Sequence, residues 1–103
     1  MDITVAIGRN VNDSPMEDTH WYGFVHGVQA ALVEHGFAVS VVEKGTARYD
    51  ATNEEHCRFW ASSDYPYALG SYQGLRDALS KLAGHYKQHA IALSHVDTVM
   101  VKP

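Results

Sequence analysis

The chain has 103 residues, 46% of them hydrophobic and 19% charged, and a formal net charge of −4. That length suits one globular domain, residues 1–103, and the acidic balance argues against a nucleic-acid surface, which needs cations for phosphate. No apolar run approaches the roughly 20 residues of a membrane span, and the lone Cys57 cannot form an intrachain disulfide, so a cytoplasmic protein without membrane contact is expected.

In chain order, Ile3, Val5 and Ile7 alternate with Thr4, Ala6 and Gly8, which predicts a strand over 2–8. A polar turn follows from Gly8 to Asp13. Ser14-Pro15-Met16-Glu17 then combines an N-cap residue, a proline suited to the first helical position and a glutamate at capping-box spacing, with Asp18 as a competing cap. Trp21, Phe24, Val25, Val28, Ala31 and Leu32 recur at helical spacing, and Gly36 marks the stop. Gly23 and Gly27, four apart within this helix, suggest close packing on a sheet.

Phe37 to Val42 reads as a second strand, with Phe37, Val39 and Val41 inward. Residues 43–53 are polar and read as a long loop or splayed hairpin. Glu55 to Ser62 predicts a third strand with Cys57, Phe59 and Ala61 on one face and His56, Arg58, Trp60 and Ser62 on the other. A loop carrying Tyr65 and Tyr67 leads to Ser71, which is expected to cap a second helix with a Leu75, Leu79, Leu82 and Tyr86 stripe. Residues 90–101 are β-rich, with Ile91 and Leu93 inward and a bend or bulge near Ser94–Asp97.

The order β-α-β-β-α-β most simply builds an α+β, ferredoxin-like fold: a four-stranded antiparallel sheet with two helices on one face. The other face, dominated by Trp60, is too apolar to be comfortably wet, which predicts a homodimer through that face. His56, Arg58, Trp60, Tyr65 and Tyr67 are the candidate interface or ligand-binding residues. Trp60 as an RNA-stacking platform lacks the companion aromatics such a surface uses. The Gly8-Arg9-Asn10 turn offers Arg9 and Asn10 as an anion contact, in the manner of acylphosphatases, but lacks the glycine-rich run that follows the arginine in those enzymes. His85 and His89 have the spacing of two metal ligands on a helix without a third group at a matching offset. No catalytic residue, cofactor or metal is assigned.

Several residues also resemble a family of small uncharacterised bacterial and phage proteins. They are Gly8-Arg9 closing the first strand, Trp21 and Phe24 on the first helix, Gly36-Phe37 with Val39, Gly45 with Tyr49, Glu54-Glu55, and Tyr86 with Gln88, Ala90 and Ile91. The resemblance implies a ferredoxin-like fold and no particular activity. The leading expectation is therefore a non-catalytic binding protein, homodimeric through its open sheet face. The alternatives are a small dimeric α+β barrel enzyme or ligand binder with His56, Arg58 and Trp60 lining its pocket, and a phage or host regulatory protein that inhibits a protein partner.

Overall fold

The computed structural model describes residues 1–49, 52–63, 68–95 and 98–103. Strand β1 (Asp2–Gly8) is followed by a two-residue ribbon, β2 (Asn10–Val11) and β3 (Ser14–Pro15), then helix α1 (Asp18–Glu34). Strands β4 (Ala38–Tyr49) and β5 (Thr52–Ser62) form a long hairpin, helix α2 (Ala68–His85) comes next, and β6 (Ile91–Ser94) and β7 (Thr98–Val101) close the chain. The main sheet has five strands in the order β4-β5-β1-β6-β7, every pairing antiparallel. The expected four-stranded sheet is corrected to five. The apolar parity of Ile91 and Leu93 resumes at Val99 and Val101 because these residues pair across a second hairpin, Ile91 with Val101 and Leu93 with Val99.

One side of the sheet carries the core. Ile3, Val5, Ile7, Phe37, Cys57, Phe59, Ala61, Ile91, Leu93 and Val101 form one buried cluster with Trp21, Phe24, Val28 and Leu32 of α1 and Leu75, Leu79 and Ala83 of α2. Period-2 rows on the strands thus meet period-3.6 stripes on the helices. The two glycines of α1 serve a helix contact rather than the expected sheet contact. A Cβ at Gly23 would lie 2.8 Å from the Tyr86 hydroxyl, and one at Gly27 would lie 2.9 Å from a Leu82 methyl, so their absence lets α2 approach. The Phe24 and Tyr86 rings stack across this junction with centroids 4.8 Å apart.

Helix boundaries follow hydrogen bonding more closely than capping motifs. Ser14 does not cap α1. Asn12 and Asp13, at φ of 48° and 66°, make a tight turn that pairs Ser14-Pro15 with Asn10-Val11. The Met16 N–H then donates to the Arg9 carbonyl, which delays the helix by a turn. Gly36, at φ +85°, ends α1 as expected: its N–H reaches the Val33 carbonyl and that of Phe37 reaches Leu32, the paired bonds of a Schellman stop. Helix α2 starts at Ala68, so Ser71 lies within it rather than at its cap.

Of the two expectations for the polar stretch after Val42, the hairpin holds and the loop does not: residues 43–49 are strand. Its ladder runs from Glu43 opposite Arg58 to Tyr49 opposite Thr52. Strands of 12 and 11 residues account for the 42 Å long axis, against 23 and 22 Å for the others. A register shift between Val39 and Val41 leaves Ser40 as the extra residue of a β-bulge. Beyond it the parity inverts, so Val41 stands opposite Trp60 on the open face and not in the core.

Candidate functional site: a trough on the open sheet face

Strand β5 projects Glu54, His56, Arg58, Trp60 and Ser62 away from the helices, because alternate residues face the same way and Cys57, Phe59 and Ala61 are in the core. Its neighbour β1 presents Asp2, Thr4, Ala6 and Gly8, aligned with Ser62, Trp60, Arg58 and His56 respectively. On the far side of β1, Ser94 pairs with Thr4 and Ala92 with Ala6, and Met100 pairs with Ala92. Long side chains on β5 and Met100 on β7 therefore bank a trough floored by short ones. Val41, Trp60 and Met100 remain 50%, 41% and 55% exposed.

At one end the trough widens to a groove of about 400 Å³ lined by Trp60, Thr4, Ser40, Ser62, His95 and Asp2 among others. The Ser40 hydroxyl donates to the Trp60 carbonyl at 3.1 Å, tying the bulge to the indole's backbone. His95 Nδ1 lies 2.9 Å from the Asp2 carbonyl, which can only accept, so Nδ1 carries the proton and Nε2 is directed elsewhere. The groove is partly enclosed, with hydroxyls and one aromatic wall. That combination orients a small planar ligand by stacking and a few hydrogen bonds.

At the other end Glu54, His56 and Arg58 share a groove of about 310 Å³ with Ala6, Gly8, Ala92 and Met100. Glycines make room for both titratable groups flanking this row. The Glu54 carboxylate covers Gly8, where a Cβ would collide with it, and its Oε2 accepts the Asn10 N–H at 2.9 Å. His56 leans over Gly45 on β4, its Cε1 2.9 Å from where a Cβ would stand. Arg58 makes no hydrogen bond or ion pair among the described residues.

His56, Arg58 and Trp60 are thus brought onto one wall, as expected from their spacing. Tyr65 and Tyr67 lie outside the described residues. Arg9 and Asn10, the expected anion contact, are both engaged within the chain, the Asn10 N–H with Glu54. Arg9 Nε donates to the Met16 carbonyl at 2.8 Å, Nη1 to Glu55 at 3.1 Å and Nη2 to Asp18 at 2.6 Å. The Asp18 hydrogen bond holds the guanidinium above its ordinary pKa, opposed by desolvation and helped to a smaller extent by Glu55. Asp18 and Glu55 are thus the ion-pair partners of the Arg9 guanidinium. Cys57 is buried, and burial pushes its thiol up with Lys44 opposing, which disfavours the thiolate a nucleophile requires. Among the described residues no cluster of three or more metal-ligating side chains occurs, and no helix is long and apolar enough to cross a membrane.

Glu54, Thr4, His95 and Met100 are site-lining residues that sequence reading did not select. Glu54 has the parity of His56 and Trp60, a signal hidden by ending the strand at Glu55.

No protein-family model matches the sequence, and no curated protein is found to be similar to it. Among solved structures, a phage SAM lyase in complex with S-methyl-5′-thioadenosine superposes with a TM-score of 0.63 at 15% identity, over 99% of this chain and 88% of the lyase. The same enzyme in its apo state gives 0.65 at 16% identity, again over 99% and 88%. A protein of unknown function from Galdieria sulphuraria gives 0.54 at 18% identity over 95% of this chain, which spans about half, 47%, of that protein. At these identities the likeness is one of fold.

Proposed function

We propose that the trough binds an adenosyl sulfur compound of the S-adenosylmethionine class and that the protein acts on it as a lyase. The observation that carries this reading is the groove of about 400 Å³ walled by Trp60 and floored by Thr4 and serine hydroxyls. An adenine ring suits the indole face, and the hydroxyls suit a ribose. Charge points the same way: Asp2, Glu43 and Glu54 share the open face with Arg58, an environment that favours an organic cation over a phosphate. The fold likeness to a phage SAM lyase supports the choice of ligand class.

The chemistry needs no cofactor. An oxygen of the substrate's own carboxylate closes onto the carbon bonded to sulfur, so the C–O bond of a homoserine lactone forms as the C–S bond breaks; the electron pair stays on sulfur, and the sulfonium becomes the neutral thioether S-methyl-5′-thioadenosine. A site that withdraws water from the cation and holds the chain in one conformation lowers that barrier, since charge is lost at sulfur as the bond breaks. An open sheet face does this poorly alone. A second copy packed on Val41, Trp60 and Met100 roofs the trough, which joins the homodimer to the ligand site. Without β7, the strand order β4-β5-β1-β6 is that of a ferredoxin-like sheet, and we take the fold as that sheet extended by one edge strand.

The test is to incubate the purified protein with S-adenosylmethionine and follow S-methyl-5′-thioadenosine by chromatography, with Trp60→Ala alongside. Turnover by the wild type and its loss, with binding weakened by about 1–3 kcal/mol in the variant, are expected. A wild type that neither binds nor turns over S-adenosylmethionine defeats the reading. That result would favour the alternative, a non-catalytic interaction protein, for which the exposed Val41, Trp60 and Met100 are an equally suitable contact.

A further inference from the structure

The Glu54–Arg58 end of the trough differs chemically from the Trp60 end. Arg58 offers a guanidinium with no partner among the described residues; Glu43 is its cross-strand neighbour, yet no ion pair forms between them. A planar guanidinium left unpaired on a groove wall is suited to a carboxylate, which it can hold through two parallel hydrogen bonds. Two strand positions back lie His56 and, beyond it, Glu54. The Glu54 carboxylate is anchored through Oε2 by the Asn10 N–H and lies flat over Gly8, so its position does not depend on a ligand. It retains acceptor capacity for an ammonium.

The groove of about 310 Å³ therefore places one fixed negative and one unpaired positive group on the same wall. A phosphate would gain from Arg58 and lose against Glu54. A zwitterion sets each of its charges against the opposite one. The floor is continuous with the Trp60 end through Thr4, Ala6 and Gly8, and same-face residues two apart are separated by about 6.7 Å along a strand. One extended ligand can therefore run from indole to guanidinium.

We propose that this end is a subsite for an α-amino-acid zwitterion, with Arg58 holding the carboxylate and Glu54 the ammonium. The inference rests on the ligand reading of the Trp60 end for the other half of the molecule. It gives Glu54, which in that reading contributes only to the charge of the open face, a direct binding role. It also predicts a split between ligands that share the adenosine and differ in the amino-acid chain.

Wild type, Arg58→Gln and Glu54→Gln are titrated with S-adenosylmethionine and with S-methyl-5′-thioadenosine, which lacks the amino-acid end. Each substitution is expected to weaken S-adenosylmethionine by about tenfold or more and to leave S-methyl-5′-thioadenosine within about twofold. Equal affinity of wild type and both variants for S-adenosylmethionine overturns the subsite while leaving the Trp60 reading intact. If the wild type binds neither nucleoside, the adenosyl reading fails and millimolar L-methionine, followed by amide NMR shifts, decides the subsite. Shifts at Glu54–Arg58 that vanish in both variants uphold it, and their absence in the wild type overturns it. The same spectra report whether the variants are folded.

Discussion

The Ser40 hydroxyl donates to the carbonyl of Trp60 at 3.1 Å, at the register shift where β4 carries one residue more than β5. That extra residue turns Val41 out of the core and sets it beside the indole, so the bulge determines what the open face presents. The bulge and the tryptophan together build one bank of the trough.

Val41 is consequently a surface residue despite its apolar alternation with Phe37 and Val39. Val41→Lys is expected to change the unfolding free energy of the monomer by no more than about 0.5 kcal/mol, whereas Phe59→Ala, wholly buried on the adjacent strand, costs about 3–5 kcal/mol. Urea unfolding at a protein concentration low enough to keep the chain monomeric checks this. A cost above about 2 kcal/mol for Val41→Lys would return Val41 to the core.

The same face is proposed to join two copies. Light scattering should give a mass above the monomer for wild type and the monomer mass for Trp60→Glu, because a charge placed centrally in an apolar contact is left without a partner. A monomeric wild type at high concentration would dissociate the trough from any second copy.

The helix contact depends on Gly27 by size. Gly27→Ala gains about 1 kcal/mol of helix propensity and displaces one Leu82 methyl at the end of a flexible side chain, so stability within about 0.5 kcal/mol of wild type is expected. Gly27→Val adds bulk that the Leu82 contact cannot clear and should cost about 2 kcal/mol or more. Thermal unfolding of both variants decides, and equal behaviour of the two would count against the close approach.

Much of the sheet was readable because the helices cover one side: Ile3, Val5 and Ile7, and Cys57, Phe59 and Ala61, are buried as their alternation requires. Where that contrast fades, the reading fails. Past Val42 the paired strands β4 and β5 are polar in composition, so backbone pairing there leaves no hydrophobic period, and the place of Glu54 on the open face is hidden with it. A bulge inverts parity without altering composition, which is why Val41 was misassigned. At the start of α1, Arg9 outweighs the Ser14 capping motif by binding the Met16 carbonyl, an interaction seven residues apart that local spacing does not reveal. The wall of His56, Arg58 and Trp60 was legible, whereas its floor depends on strand order.

Cys57 gives the fold an alkaline dependence. Burial raises the thiol's pKa above the unfolded value, with Lys44 opposing, so the folded state holds its proton longer. Stability from this site is full below the unfolded thiol pKa and falls as pH rises through it toward the folded value. Between about pH 8 and about pH 10, wild type should lose more stability than Cys57→Ala in urea titrations, since ordinary thiols titrate near 8.5. Parallel losses would remove the thiol from the account.

The central claim, that the ligand lies against Trp60, is tested most directly by fluorescence. The only other tryptophan, Trp21, is 3% exposed in the core and serves as an internal reference. Titration with S-methyl-5′-thioadenosine should change the emission of wild type saturably and leave Trp60→Phe, which reports Trp21 alone, without response. A flat wild-type titration, or an equal saturable change in Trp60→Phe, would contradict the claim.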